Sequence, residues 1–177
     1  MNPSDEHRKH ARRGYVIEVA TISSSRYLEH GSAPDPADAD DTSGAIIIDA
    51  LRMDGHTVRY TLLSDDIDLI QHWFAKTMNS NANAIITTGG TGLTPGDVTI
   101  EAIRPLLDKE MPGFGEIFRA ESMAEIGYAV MLTRAIAGVV RGRAVFCMPG
   151  SSNAAKLGIK IIAAELGHVI EHARGRV

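Results

Sequence analysis

Two stretches of this chain set glycine, hydroxyl and carboxylate groups where a polypeptide can cradle a phosphate. The first is Thr87-Thr88-Gly89-Gly90-Thr91-Gly92-Leu93-Thr94-Pro95-Gly96-Asp97, which continues the apolar run Ala84–Thr88. Three glycines directly after a buried strand let the backbone turn tightly and bring amide N–H groups close to an anion. A valine at Gly90 is expected to block ligand binding by filling the space that phosphate would enter, while leaving the fold largely intact. The stretch is not a P-loop, because no Gly-Lys-Ser/Thr follows at the required spacing. It is not a dinucleotide fingerprint either, since Pro95 stands where the third glycine belongs. Asp97 precedes a helical pattern, so it reads either as an N-cap or as a carboxylate aimed at the same ligand.

The second stretch is Met148-Pro149-Gly150-Ser151-Ser152-Asn153, again between a strand and a helix. Hydroxyls at a helix start, beside free backbone amides, offer a phosphate site or a plain N-cap with equal ease. A third turn, Ser64-Asp65-Asp66, sets two acids at a helix start, where acids are stabilising with or without a function. Lys156, one turn into the last helical pattern, could add positive charge near the second stretch.

Other chemistry-bearing residues read as decoys. His168-Val169-Ile170-Glu171-His172 matches the H-x-x-E-H pattern of some zinc proteases, but only five residues remain downstream for a further ligand. Cys147 lies inside an apolar strand, where cysteine behaves as a small hydrophobe. Trp73 sits within an amphipathic helix and reads as packing.

The elements that position these turns follow from periodicity. Tyr15–Thr21, Val58–Leu63, Ala84–Thr88, Ala135–Val140 and Ala144–Met148 read as strands, the last two joined by a hairpin at Arg141–Gly142. Ser43–Met53, Asp66–Met78, Thr99–Leu107, Glu116–Ile126 and Asn153–Ala173 read as helices. Ile22–Asp41 carries Asp35, Asp38, Asp40 and Asp41 without periodicity, and reads as a long solvated loop, insertion or lid. Strand and helix alternate, which predicts an α/β three-layer sandwich on a mainly parallel sheet with an antiparallel edge. Ligands of such sheets bind beyond the carboxyl ends of the strands, where all three turns fall.

Composition bounds the rest. The chain has 177 residues, 44% of them hydrophobic and 23% charged, as in an ordinary globular domain. We expect a flexible basic tail over 1–14 and a single domain over 15–177. A net charge of −4 supplies no field to recruit nucleic acid, and one cysteine excludes a disulfide framework within the chain. No apolar run approaches the roughly 18 residues of a membrane span, and the N-terminus lacks a signal-peptide core, so no membrane partner and a cytoplasmic location are expected.

Taken together, ITTGGTGLTPGDVTIEAI, EMPGFGEIFR and FCMPGSS, with DTSG at 41–44 and LLSDD at 62–66, resemble the molybdenum cofactor biosynthesis family that includes MoaB and MogA. The resemblance covers residues 15–173. It implies a molybdopterin-binding-like fold and a homotrimer or homohexamer, in line with apolar faces on 66–78 and on Met111–Phe118. It implies Mg²⁺-dependent adenylylation of molybdopterin by ATP, with release of pyrophosphate. The family's two essential acids fall on Asp65 and Asp97, which would also hold the metal. Nucleotide and pterin contacts fall on Gly89, Gly90, Thr91, Gly92 and Thr94, and on Pro149, Gly150, Ser151 and Ser152. Other molybdenum-cofactor enzymes are the implied partners.

Two departures stand out. Many family members carry Ser-Asp-x-Arg after the first strand, whereas this chain reads Ser23-Ser24-Ser25-Arg26 and lacks the acid. Gly96 stands where relatives often carry a basic residue. A catalytically weak pterin-binding or scaffolding oligomer is the alternative, and a nucleotide-cleaving enzyme of the competence-damage type ranks third.

Overall fold

The computed structural model describes residues 14–176, so the expected basic tail lies almost wholly outside the described residues. Six strands form one sheet in the order β2-β1-β3-β6-β5-β4. They are β1 (Val16–Ile22), β2 (Thr57–Leu63), β3 (Ala84–Thr88), β4 (Lys109–Glu110), β5 (Ile136–Val140) and β6 (Arg143–Met148). β2, β1, β3 and β6 run parallel, while β5 and β4 form the antiparallel edge. The helices are α1 (Ser24–His30), α2 (Thr42–Met53), α3 (Ile67–Met78), α4 (Thr99–Ile103), α5 (Pro112–Ile126) and α6 (Ser152–Ala173).

A parallel sheet covered on both faces needs strands apolar on both faces, and all five residues of β3 are buried. Alternation along the strands then sorts two cores. Ile17, Val19, Ile86 and Phe146 pack with α2, α5 and α6. Ala20, Ile22, Ile85 and Val145 pack with α3 and α4 on the opposite face. The helices supply matching stripes: Ala155, Ile159, Ile162, Leu166 and Ile170 of α6 are buried at spacings of three or four. The predicted three layers are present.

The differences have local causes. The expected loop over 22–41 contains α1 and a 3₁₀ turn at Pro36–Ala39. α1 buries none of its residues, so it has no apolar stripe for a sequence pattern to reveal. The single helix expected over 99–107 breaks at Arg104-Pro105, where α4 gives way to a 3₁₀ turn, because proline lacks the N–H and crowds the preceding turn. α5 starts at Pro112, earlier than the Glu116 expected, because proline suits the first helical position. β4 is only two residues long and its two residues are exposed, which leaves no pattern. The hairpin at Arg141–Gly142 is as expected, with φ of +47° and +74°.

Trp73 is buried in the second core, as its helix spacing predicts. Cys147 is fully buried there, and burial pushes its thiol up to about 12, which makes it inert at neutral pH. Among the described residues, no helix is long and apolar enough to cross a membrane.

Candidate functional site

β1 lies between β2 and β3, so the chain reverses its direction of strand addition there and opens a crevice at the carboxyl ends of β1 and β3. The glycine loop leaves β3 into this crevice. Gly89 and Gly90 have φ of +95° and +60°, a region that favours glycine. A Cβ on Gly89 would drive into the Ile22 carbonyl, and one on Gly90 would sit 2.5 Å from Asp65 Oδ1 and against the Thr99 hydroxyl. The space beside Gly90 is therefore already lined by the protein's own groups. A Gly90→Val chain would strain the fold of the loop as well as block a ligand, contrary to the simpler expectation above. Thr99 anchors the loop, donating from Oγ1 to the Gly89 carbonyl at 2.9 Å and from its amide to the Gly90 carbonyl at 2.9 Å.

Asp97 is not a helix cap. The N-cap position of α4 is Val98, which makes no side-chain capping bond. Asp97 Oδ2 instead accepts from the Thr94 amide at 2.9 Å and the Thr94 hydroxyl at 2.5 Å, and it faces Gly92, where a Cβ would be 2.7 Å away. The Thr94 hydroxyl bond, helped by the Thr94 and Gly92 amides and the charge of Arg134, holds the Asp97 carboxyl below its ordinary range. It is ionised at neutral pH.

Asp65 does not cap the helix that follows it, since Asp66 caps α3 by accepting from the Leu69 amide at 2.8 Å. Asp65 Oδ2 accepts from the Ser24 amide at 2.9 Å and the Ser24 hydroxyl at 2.8 Å, while its own amide donates back to Ser24 Oγ at 3.0 Å. Ser24 thus fixes the orientation of Asp65 and leaves Oδ1 toward Gly90. The two acids follow strands that are separated by β1 and are not neighbours. Both face the glycine loop, Asp65 against Gly90 and Asp97 against Gly92.

The second turn touches the first. A Cβ on Gly150 would lie 2.9 Å from Gly89 Cα. The Thr88 hydroxyl donates to the Pro149 carbonyl at 3.0 Å, and the Gly89 amide to the Met148 carbonyl at 3.0 Å. Ser151 caps α6, accepting from the Ala154 amide at 3.2 Å, and Ser152 opens the helix half-buried. Thr91 is buried and its carbonyl is occupied by Arg134, which leaves its amide and hydroxyl as the groups it can offer a ligand. Among the described residues, the amides of Gly90, Thr91, Gly150 and Ser151 donate to no other protein group. Lys156 is an exposed side chain on α6 and makes no hydrogen bond to these turns.

Sequence reasoning missed the support beneath the site. The reading of Asp35, Asp38, Asp40 and Asp41 as a solvated run fails at Asp41, which is buried. Its Oδ2 accepts from Thr21 Oγ1 at 2.6 Å and Tyr60 OH at 2.7 Å, and its Oδ1 from the Gly44 amide at 3.0 Å. Burial and the Asp41 bond push the Tyr60 hydroxyl far above its ordinary value, so it stays a donor. Asp41 thereby starts α2, and Ser43 in its first turn donates to the Gly150 carbonyl at 2.8 Å. The only legible trace was the Asp-Thr-Ser-Gly string itself. His168 and His172 approach within 2.7 Å through Nε2, but no group of three metal-ligating side chains occurs among the described residues.

A family model described as "Probable molybdopterin binding domain" matches residues 18–168. The chain is 43% identical over 175 residues to a molybdopterin adenylyltransferase of Pyrococcus furiosus, covering 96% of this chain and 98% of that protein. It is 45% identical over 170 residues to molybdenum cofactor biosynthesis protein B of Halalkalibacterium halodurans, covering 94% of each. The crystal structure of the tungsten cofactor synthesizing protein MoaB from Pyrococcus furiosus superposes with a TM-score of 0.81 at 41% identity, over 93% of this chain and 99% of that one.

Proposed function

The chain belongs to the molybdenum cofactor biosynthesis family of MoaB and MogA, and on that footing we propose that it transfers the adenylyl group of ATP to molybdopterin. The observation that carries the reading is that neither Asp65 nor Asp97 caps the helix that follows it, and that both face the glycine loop, Asp65 at Gly90 and Asp97 at Gly92. A structural acid beside a helix start normally caps it. Here the neighbouring residues occupy both cap positions; Asp65 binds the Ser24 amide and hydroxyl at the start of α1 through Oδ2, and both acids face the glycine loop.

In the reaction the terminal phosphate oxygen of the pterin attacks the α-phosphorus of ATP. A new P–O bond forms, the bond to the bridging oxygen of the β-phosphate breaks, and pyrophosphate leaves with the bonding electrons. Nucleophile and leaving group are both anionic, so positioning and charge neutralisation are most of what the protein can contribute. The amides of Gly90, Thr91, Gly150 and Ser151 supply donors for phosphate oxygens, and the N-terminus of α6 adds a partial positive charge.

The residues present also fit a magnesium ion. Mg²⁺ binds through one or two carboxylates and fills its shell with phosphate oxygens and water, so a three-carboxylate cluster is not required. Asp65 and Asp97 would hold it, and when bound it would neutralise charge on the transferring phosphate. Ser24 and Thr94 orient these carboxylates whether or not an ion is present.

The test is pyrophosphate release from ATP and Mg²⁺, with and without molybdopterin. Release that depends on molybdopterin is expected. Tight pterin binding without release would instead favour a scaffolding oligomer, the reading toward which Ser24 in place of an acid leans. A cytoplasmic location, with other molybdenum-cofactor enzymes receiving the product, accompanies the proposal.

We further propose a homotrimer or homohexamer. The apolar stripe of α3 is spent on the protein's own core, so it is not the surplus expected from sequence. The other expected segment, Met111–Phe118, does leave Ile117 50% exposed, and the surplus extends to the following 3₁₀ turn, where Tyr128, Met131 and Leu132 are 84%, 80% and 56% exposed. Light scattering at micromolar concentration is expected to give at least three times the 19.0 kDa chain mass, and a single-chain mass would overturn the assembly.

A further inference from the structure

Arg134 stands between the 3₁₀ turn Gly127–Leu132 and β5, outside every motif discussed above. Its guanidinium reaches both ends of the glycine loop. Nε donates to the Thr91 carbonyl at 2.8 Å, and Nη2 to the Asp97 carbonyl at 3.4 Å. Nη1 and Nη2 also donate to the two carboxylate oxygens of Glu101, at 2.5 Å and 3.3 Å, in the first turn of α4. Among the described residues, no other side chain from outside the loop hydrogen-bonds any residue of 91–97. The inner half of the loop is tied down by Thr99, whereas the outer half, which carries Asp97, is held by its own Thr94–Asp97 bonds and, from outside the loop, by this guanidinium.

We propose that Arg134 is a positioning residue of the transfer site: by clamping the Thr91 and Asp97 carbonyls against Glu101, it fixes the loop conformation that presents the Asp97 carboxylate to the ligand. A guanidinium suits the task because its planar fork satisfies several acceptors at set angles and never loses its charge. The Glu101 carboxyl is held below its ordinary range chiefly by its bond to Arg134, so both members of the clamp are charged at neutral pH. Arg134 does not touch the reacting atoms. The role of the clamp in catalysis rests on the adenylyl-transfer reading, but the clamp itself does not.

The experiment compares the full chain with Arg134→Lys and Arg134→Ala, reading amide hydrogen exchange, ATP-dependent adenylyl transfer and rescue by added guanidinium. The informative amides are those of Thr94 and Asp97, which donate to Asp97 Oδ2 and to the Thr94 carbonyl. Arg134→Lys keeps the charge but not the fork. It is expected to speed exchange at these two amides about tenfold, the ratio one charge-assisted hydrogen bond supplies, with exchange in the β1 and β3 amides unchanged. Its kcat is expected to fall roughly tenfold to a hundredfold, as small misplacements of a reacting group do, with a smaller change in KM for ATP. Guanidinium should restore part of the kcat of Arg134→Ala. Unchanged exchange at Thr94 and Asp97 in both variants would overturn the proposal, as would faster exchange spread evenly through the sheet or a parental kcat in Arg134→Ala. If the parent chain itself transfers no adenylyl group, the function reading fails while the exchange comparison still decides whether the clamp exists.

Discussion

Replacing Asp97 with asparagine is expected to lower adenylyl transfer by roughly a hundredfold or more, a barrier increase of about 2.7 kcal/mol, while leaving thermal stability nearly unchanged. The geometry separates the two effects. Asparagine keeps an oxygen that can accept from the Thr94 amide and hydroxyl, which now bond Asp97 Oδ2. The local turn therefore survives, at a cost of about 1 kcal/mol for weakening bonds to a charged acceptor. The substitution removes the negative charge that faces Gly92 in the crevice. A group that organises phosphate through a cation needs that charge, and one that merely closes a turn does not. Full activity in Asp97→Asn at limiting Mg²⁺ would retire the catalytic role. The Thr94 bond holds the parent carboxyl below its ordinary value, so Asp97 should impose no acid limb on the rate near neutrality. An acid limb near neutrality would have to come from another group.

What the sequence made legible about this site was mostly what is local. Gly89 and Gly90 announce a sharp turn because the left-handed conformations they adopt need no partner to be recognised. Apolar runs at β1, β3 and β6 are readable for the same reason, since a buried parallel strand carries its signal in five or six consecutive residues. The identity of the acids was legible, but not how they are placed. Asp65 and Asp97 follow strands that β1 separates, and both reach the glycine loop only through the strand order, which is a property of the whole sheet. Ser24 illustrates the same limit. As a string, Ser23-Ser24-Ser25 reads as a missing acid; in the fold it supplies two donors to Asp65 from 41 residues away. Arg134 sits alone between two ordinary elements, and its partners lie 33 to 43 residues earlier. No window of sequence contains both ends of that clamp.

Asp41 is the sharpest case of a residue whose environment overturns its local reading, and it carries the second large expected effect. Asp41→Ala is expected to destabilise the fold by about 4 kcal/mol, or roughly 10 °C in melting temperature for a chain of this size. The substitution would leave the Thr21 and Tyr60 hydroxyls without their acceptor in a buried space and strip α2 of its cap. Each of those losses is worth about 1–2 kcal/mol. Gly44 shows how little slack surrounds them, because a Cβ there would come within 2.9 Å of the Tyr60 ring and overlap the Asp41 carboxylate. Asp41→Asn should fall between parent and alanine. Its oxygen can still cap the Gly44 amide, and its NH₂ can donate to hydroxyls that then turn to accept. Differential scanning calorimetry on the three chains gives the order, and an Asp41→Ala chain melting within about 2 °C of the parent would show that the buried bonds contribute little net stability. The consequence reaches the crevice, because α2 starts at Asp41 and Ser43 in its first turn holds the Gly150 carbonyl. Asp41→Ala should accordingly weaken ATP or pterin binding even at temperatures where the chain is still folded, whereas Asp41→Asn, with α2 still capped, should bind nearly as the parent does.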